Sequence, residues 1–259
     1  MWLKKIYDTQ WHNIKFSEFY QTSSIKKTDG NFYNLFYSKF FEKYNDFSDL
    51  DEDWSKHKEE ISNILYKYCD KDKSKNILSI GAGLGYIELL LNKKGITNID
   101  LYEVSDIPFK WIKNYISKDK LYSGDFNEFV LNNKKIYDLI FMISIDYCLD
   151  NKLFLNLLKL IKRITKKDAK LIMISYSFSR YNNIFCELND YIREIKKNLY
   201  YLSKIDFYRD KNKQLLGYIR QDKHLEYIFR LSGFKDVRLN YYNKNEIGYS
   251  VLLIETTYK

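Results

Sequence analysis

The first 75 residues carry large apolar side chains at a helical spacing. Phe32, Phe36 and Phe40 recur every fourth residue, which places them on one face of a helix. The stretch from Trp54 to Tyr68 repeats this period. We therefore interpret residues 1–75 as an N-terminal helical cap region.

From residue 76 the pattern changes to short apolar runs separated by amphipathic helical stretches. The runs are Asn76–Ile80, Ile99–Glu103, Tyr137–Ile145 and Lys170–Tyr176. Such alternation is typical of a parallel β-sheet with crossover helices. The sequence thus predicts an α/β domain over residues 76–259.

The C-terminal pattern differs from this alternation. A helical stretch, Leu225–Leu231, stops at Gly233, and two apolar runs follow closely, Val237–Tyr241 and Tyr249–Thr256. Two strands so near each other predict an antiparallel pair at the sheet edge. The alternating pattern does not require residues 180–216, which we interpret as a helical lid insertion.

Charge is unevenly distributed along the 259 residues. Lys and Arg total 43 against 34 Asp and Glu, a net charge of +9, and residues 151–213 alone carry 15 basic and 6 acidic side chains. The net positive charge of the whole chain therefore equals that of residues 151–213, which contain most of the predicted lid. An excess spread over the chain would have favoured nucleic-acid binding more strongly.

Cysteine usage and hydropathy exclude several classes of protein. Cys69, Cys148 and Cys186 are scattered and contain no CxxC pair, which fits neither a disulfide framework nor a zinc site. The N-terminus lacks an apolar signal core, and no apolar run is long enough to span a bilayer. We expect a cytoplasmic protein without membrane insertion.

A glycine-rich loop follows the first apolar run. It reads Gly81-Ala82-Gly83-Leu84-Gly85 and leads into a helical stretch. Glycines there let the backbone turn sharply and approach a ligand that faces the helix N-terminus. Glu103 ends the second run, where an acid accepts hydrogen bonds from both hydroxyls of a ribose. Tyr86 stands where a dinucleotide fingerprint requires a small residue, which disfavours NAD.

The G-x-G-x-G form resembles motif I of the class I S-adenosylmethionine-dependent methyltransferases, and the likeness extends over residues 76–259. The resemblance implies a Rossmann-like, mostly parallel seven-stranded sheet with an antiparallel C-terminal strand. It also implies S-adenosylmethionine as cofactor and S-adenosylhomocysteine as product. Many family members carry an acid two residues before the first glycine, where this chain has Ser79.

The same resemblance assigns the cofactor-binding residues. The loop would pass beneath the methionine and ribose, Glu103 would hold the ribose, Asp125 would contact the adenine amine, and Phe126 would lie beside the ring. Ser144 would lie where the fourth strand opens toward the methyl group. The cofactor-binding set is Gly81, Ala82, Gly83, Gly85, Glu103, Asp125, Phe126 and Ser144.

Methyl transfer is an in-line displacement, so the protein must chiefly hold the acceptor atom near the methyl group. A hydroxyl acceptor also needs a base. His224 suits this role because an unperturbed imidazole has a pKa of about 6.5. Tyr147 and Asp146, which follow the fourth strand, are the other candidate catalytic residues.

Motifs of other acceptor classes are missing. The chain reads Ile145-Asp146-Tyr147-Cys148 where amine-directed DNA enzymes have Pro-Pro-aromatic, and it has no Pro-Cys of the cytosine-C5 enzymes. No Asp-Asn pair follows the fifth strand, as it does in metal-dependent catechol-type enzymes. We therefore expect neither a DNA substrate nor a metal.

The basic segment suggests the acceptor. Arg180, Arg209 and Arg220 would bind a phosphate or carboxylate of a small substrate, with Tyr176 nearby. The N-terminal Trp11-His12-Asn13 and Phe32-Tyr33 resemble methyltransferases of bacterial surface-polysaccharide pathways.

The favoured function is O-methylation of a small anionic metabolite or sugar-linked intermediate. Two alternatives stay open: an RNA methyltransferase, and an inactive partner subunit with the same fold.

Overall fold

The computed structural model describes residues 3–24, 26–69, 75–178, 213–244 and 250–257. The strands are β1 Leu3–Asp8, β2 Gln10–Trp11, β3 Ile14–Lys15, β4 Ile77–Ile80, β5 Ile99–Glu103, β6 Leu121–Ser123, β7 Tyr137–Ile143, β8 Thr165–Phe178, β9 Gln214–Gln221, β10 Lys235–Lys244 and β11 Ser250–Thr257. The helices are α1 Gly30–Lys43, α2 Glu52–Tyr66, α3 Tyr86–Lys93, α4 Phe126–Asn132, α5 Asn151–Arg163 and α6 Asp222–Leu231.

Seven strands form the predicted sheet in the order β6-β5-β4-β7-β8-β11-β10. The first five are parallel, whereas β11 runs antiparallel to both β8 and β10. Helix α6 ends before Gly233, which has a φ of 88° and lets the chain turn back into β10. The mostly parallel sheet with an antiparallel C-terminal pair is thus confirmed.

Side chains of the central strands alternate between two apolar cores. Leu78 of β4 and Ile140 of β7 face the core that α4, α5 and α6 cover. Ile77 and Leu139 face the opposite core, which α2 and α3 cover. Strands buried on both faces explain the continuous apolar runs in the sequence.

The N-terminal region forms a third cluster, built mostly from aromatic rings. Helix α1 begins after Asp29, whose side chain accepts a hydrogen bond from the amide of Phe32, and it buries Phe32, Phe36 and Phe40 as predicted. The rings of Trp11 and Phe36 meet edge to face at 5.3 Å. The cluster also includes Leu84, Trp111 and Leu216, which anchor it to the rest of the molecule.

Two strands that the sequence pattern did not predict extend the main sheet. Strand β9 pairs parallel with the last residues of β8, and β1 pairs antiparallel with β9 from Leu3–Arg220 to Asp8–Gln214. Because β11 occupies one edge of β8, β9 lies on the other edge, beyond the end of β7.

These two strands correct two boundaries. The cap region begins with strands rather than helices, and residues 214–216 belong to β9 rather than to the lid. Pairing between residues more than 200 positions apart leaves no local period, which is why the sequence pattern missed it. The remainder of the predicted lid, residues 180–212, lies outside the described residues.

Gly217 allows β9 to approach the turn that follows β7. A Cβ atom at this position would lie 1.9 Å from the carbonyl oxygen of Tyr147. Backbone cannot yield as a flexible side chain does, so β9 would have to move.

We expect Gly217→Ala to lower the free energy of unfolding by about 1–3 kcal/mol, the usual cost of overpacking. The matched control is Gly30→Ala at the start of α1, where a Cβ would meet nothing within 4 Å. Urea denaturation of both variants measures the difference. A Gly217→Ala protein as stable as the wild type would contradict the close approach of β9.

Candidate active site

A cavity of about 1800 Å³ opens at the carboxyl ends of β4, β5 and β7. This is the edge at which parallel α/β sheets bind ligands. The glycine loop and Glu103 line one part of it, and α1 and the N-terminal strands line another. The cavity therefore joins the predicted cofactor site to the aromatic N-terminal region.

The glycine loop needs its glycines for two different reasons. Gly81, Gly83 and Gly85 all have positive φ, of 73°, 56° and 74°. A Cβ on Gly81 would lie 2.2 Å from a side-chain carbon of Ile145, so glycine lets Ile145 pack against the loop.

Gly85 corrects one prediction. It does not line the cavity, and a Cβ there would meet Ile112 at 2.7 Å. Its role is to cap α3 and to pack against Ile112 rather than to pass beneath a ligand.

Glu103, at the end of β5, forms a hydrogen bond with the glycine loop. Its Oε2 accepts a hydrogen bond from the amide of Gly83 at 2.9 Å, and its Oε1 accepts one from the amide of Val104 at 2.8 Å. Burial raises the pKa of Glu103, and these two hydrogen bonds oppose that rise. The carboxylate lines the cavity and faces whatever binds over the loop.

Asp125 and Phe126 line the same side of the cavity, at the start of α4. The Asp125 carboxylate also caps the helix by accepting from the amides of Asn127 and Glu128. The Phe126 ring packs edge to face on Tyr102, with centroids 4.8 Å apart. Asp125 thus combines a capping role with a place on the cavity wall.

A buried carboxylate contacts Ser79, where the resemblance led us to look for an acid. Ser79 Oγ donates to Oε1 of Glu88, a buried residue of α3, at 2.5 Å. No described residue bonds Oε2 of Glu88. Burial raises the pKa of Glu88, whereas the nearby Lys58 lowers it. Ser79 therefore holds a buried carboxylate of the neighbouring helix, and Glu88 itself does not line the cavity.

No family model and no curated protein sequence matches the chain. Solved structures do match. An S-adenosylmethionine-dependent methyltransferase from Archaeoglobus fulgidus is 16% identical over 77% of this chain and 94% of its own, with a TM-score of 0.53. Magnesium protoporphyrin IX methyltransferase from Synechocystis PCC 6803, with bound S-adenosylhomocysteine, is 10% identical over 79% and 83%, with a TM-score of 0.51.

The S-adenosylmethionine-dependent methyltransferase SibL is 12% identical over 89% of this chain and 60% of its own, with a TM-score of 0.53. The chain has the class I methyltransferase fold. It spans about half the length of some of the solved structures that it matches, 50 and 52% in two cases.

In this methyltransferase fold the turn after β7 faces the cavity. Ser144, Tyr147 and Cys148 line it, and Ser144 adopts a positive φ of 54°. Tyr176, a predicted substrate residue at the end of β8, lines it too. The structure thus brings Ser144, Tyr147 and Tyr176 to one cavity.

Asp146 does not line the cavity. It is fully buried and accepts a hydrogen bond from Ser175 Oγ at 2.6 Å. Burial raises the pKa of Asp146, and the bond from Ser175 and the charge of Arg220 oppose that rise. The residue is buried because the turn folds its side chain back toward β8, so the structure places this candidate catalytic residue off the cavity wall.

Arg220 of β9 is also fully buried and has a structural role. Its guanidinium donates to the carbonyls of Asp146 and Leu149 at 2.6 and 2.5 Å and to Oδ1 of Asn151 at 3.0 Å. One of its nitrogens lies 3.7 Å from the Asp146 carboxylate. Because these partners occupy the planar fork and the side chain is sealed from the cavity, Arg220 does not bind an acceptor anion.

His224 lies on α6, away from the cavity wall. It is 4% exposed, and burial followed by the charge of Arg220 lowers its pKa. The structure therefore does not place His224 where a base could reach an acceptor bound in the cavity. Arg180 and Arg209, the other predicted anion ligands, lie outside the described residues.

Several residues that line the cavity are not in the predicted site, although His12 and His57 were weighed as weaker candidates for the base. These cavity residues come from the N-terminal region and the β7 turn: His12, Tyr33, Tyr37, Trp54, His57, Lys58 and Cys148. A period of four residues shows that one face of a helix is buried. It does not show whether that face packs on a core or lines a cavity. The signal that could have identified the cavity side of this helix is the pair of hydroxyl-bearing residues, Tyr33 and Tyr37, beside the phenylalanine stripe.

Two further observations concern the described residues only. None of their helices is long and apolar enough to cross a bilayer. Their His, Cys, Asp and Glu side chains form no group of three or more that could hold a metal ion.

We expect Arg220→Leu to lower the free energy of unfolding by about 3–5 kcal/mol, because it leaves the buried Asp146 carboxylate uncompensated. The control is Arg230→Leu, which removes an exposed pair with Glu226 on α6 and costs at most about 1 kcal/mol. Chemical denaturation measures both. Equal losses in the two variants would contradict a structural role for Arg220.

Proposed function

We propose that this protein transfers a methyl group from S-adenosylmethionine to a small molecule. The observation that carries the proposal is the cavity-facing carboxylate of Glu103, held by the amide of Gly83 inside a class I methyltransferase fold. A carboxylate in this position accepts hydrogen bonds from both hydroxyls of a ribose.

The residues present fit the cofactor. Gly81 and Gly83 line the cavity with backbone alone, and Glu103 would hold the ribose. Asp125 would take the adenine amine, and the Phe126 ring would lie against the base. Lys58 lines the cavity near the buried Glu88, and its ammonium suits the cofactor's methionine carboxylate.

The cofactor supplies a methyl group on a positively charged sulfur, which leaves as a neutral thioether. An acceptor hydroxyl bound here would give up its proton to a side chain of the cavity wall. The protein's contribution is to bind and orient the acceptor in line with the sulfur.

Two imidazoles on the cavity wall replace His224 as candidate proton acceptors. His12 and His57 both line the cavity, and burial, followed by the charge of Lys58, lowers the pKa of each. Both imidazoles are therefore neutral at pH 7, the state that a general base requires.

The support for oxygen as the acceptor atom differs from the support for a negative charge on the acceptor. The candidate proton acceptors His12 and His57 support O-methylation, because a hydroxyl acceptor must lose its proton. A phosphate or carboxylate on the acceptor, and a place in surface-polysaccharide modification, stay predictions: Arg220 is engaged elsewhere, and Arg180 and Arg209 lie outside the described residues.

Calorimetry with S-adenosylmethionine tests the proposal. We expect the wild type to bind it and Glu103→Gln to bind at least tenfold more weakly, because hydrogen bonds to a charged acceptor contribute about 1.5–3 kcal/mol. Glu226→Gln, on α6 and outside the cavity, is the matched control. A folded wild-type protein that binds no S-adenosylmethionine would overturn the function.

The affinity for S-adenosylhomocysteine should also depend on pH. Because burial raises the pKa of Glu103, this carboxylate takes up a proton at a higher pH than an exposed glutamate does. We expect wild-type affinity to fall as the pH drops from 7 to 5, and the slope to be smaller in Glu103→Gln. Circular dichroism at each pH checks that the protein stays folded. Parallel slopes would show that Glu103 does not hold the ribose.

A further inference from the structure

Four polar side chains meet at the cavity wall between α1 and the turn after β7. We call Tyr33, Tyr37, Tyr147 and Cys148 the phenol–thiol cluster. All four are half-buried and line the cavity. Tyr33 and Tyr37 lie one helical turn apart on the same face of α1.

Helix α1 connects the cofactor side of the cavity to the β7 turn. The Tyr37 hydroxyl lies 3.3 Å from where a Cβ of Gly83 would be, so it contacts the glycine loop. One turn earlier, the Tyr33 hydroxyl lies 3.0 Å from Sγ of Cys148. The cluster therefore begins at the cofactor loop and ends at the turn that carries Ser144, next to the position expected for the methyl group.

Every member of the cluster is uncharged at neutral pH. Burial raises the pKa of Cys148 to about 11, although hydrogen bonds from the Tyr33 and Tyr147 hydroxyls oppose that rise. Burial likewise raises the pKa of Tyr33, Tyr37 and Tyr147 well above the ordinary value. The Lys27 ammonium donates to the Cys148 carbonyl and does not line the cavity. The cluster therefore offers neutral hydrogen-bond donors and acceptors.

The surroundings of the cluster are aromatic and apolar on one side and acidic on the other. Trp11, Phe36, Leu216 and Ile219 supply the apolar wall. Among the described residues that line the whole cavity, the acidic ones are Asp8, Asp51, Glu103 and Asp125, and the basic ones are Lys58 and Lys159. Once the residues assigned to the cofactor are set aside, Asp8, Asp51 and Lys159 remain, and this balance favours an uncharged acceptor over the anionic one expected from the sequence.

We propose that the phenol–thiol cluster is the acceptor-recognition site and that it selects an uncharged aromatic molecule bearing a hydroxyl group. The aromatic body packs on the apolar wall, and its hydroxyl exchanges hydrogen bonds with Tyr33 and Cys148. This inference rests on the proposed methyl transfer, because it assigns the acceptor that the cofactor site serves.

The test uses a matched pair of ligands and protein saturated with S-adenosylhomocysteine. 2-Naphthol is a neutral ring with one hydroxyl, and 6-hydroxy-2-naphthoate adds a carboxylate to it. We expect 2-naphthol to bind at least tenfold more tightly, as measured by fluorescence titration. Tighter binding of the naphthoate, or no binding of 2-naphthol, would overturn the inference.

A variant then locates the hydroxyl contact. In Tyr33→Phe we expect the affinity ratio of 2-naphthol to naphthalene to fall about three- to tenfold, the effect of one lost hydrogen bond. The affinity for S-adenosylhomocysteine should not change. Cys148→Ala provides a second variant, and Tyr115→Phe, on an exposed tyrosine outside the cavity, is the control.

The outcomes separate this inference from the proposed function. A wild-type protein that fails to bind S-adenosylhomocysteine would contradict the methyltransferase function itself. If the wild type binds it, and the ratio of 2-naphthol to naphthalene is unchanged in both Tyr33→Phe and Cys148→Ala, only the acceptor assignment is wrong.

Discussion

The cavity wall depends on the hydrogen bonds that the buried Arg220 guanidinium donates. The guanidinium holds two backbone carbonyls of the turn after β7 and lies against the Asp146 carboxylate. Because Arg220 belongs to β9, it fixes this strand to the turn, and β9 in turn carries β1. A guanidinium suits this role because its planar fork can donate to several oxygens at once and keeps its charge when buried.

The cofactor half of the molecule could be predicted from the sequence because its signals are local. The glycine loop, the helix after it and Glu103 lie within 23 consecutive residues, and each position has a backbone or charge requirement of its own. Hence the parallel sheet with its antiparallel C-terminal pair followed from the run pattern and the family resemblance, and most predicted cofactor residues line the cavity. Gly85 was the exception, since helix packing and ligand approach select the same residue type.

The acceptor half could not be predicted to the same degree because long-range contacts build it. An arginine in a polar stretch has the same sequence signature whether it faces an anion or closes a buried turn, and Arg220 does the second. His224 shows the same ambiguity on an amphipathic helix. The aromatic stripe of α1 was correctly assigned to a core for Phe32, Phe36 and Phe40. Tyr33 and Tyr37, beside that stripe, reach the cavity instead.

The pairing of β1 with β9 also bears on the order of folding. Leu3 pairs with Arg220, so the first strand finds its partner only after more than 200 further residues have been synthesised. Contacts of such large sequence separation form slowly, because loop closure must precede them. The parallel core from β4 to β8 has no need of β1 and can assemble earlier on the ribosome. The side of the cavity that carries Asp8 and Trp11 is therefore completed last, after the glycine loop is in place.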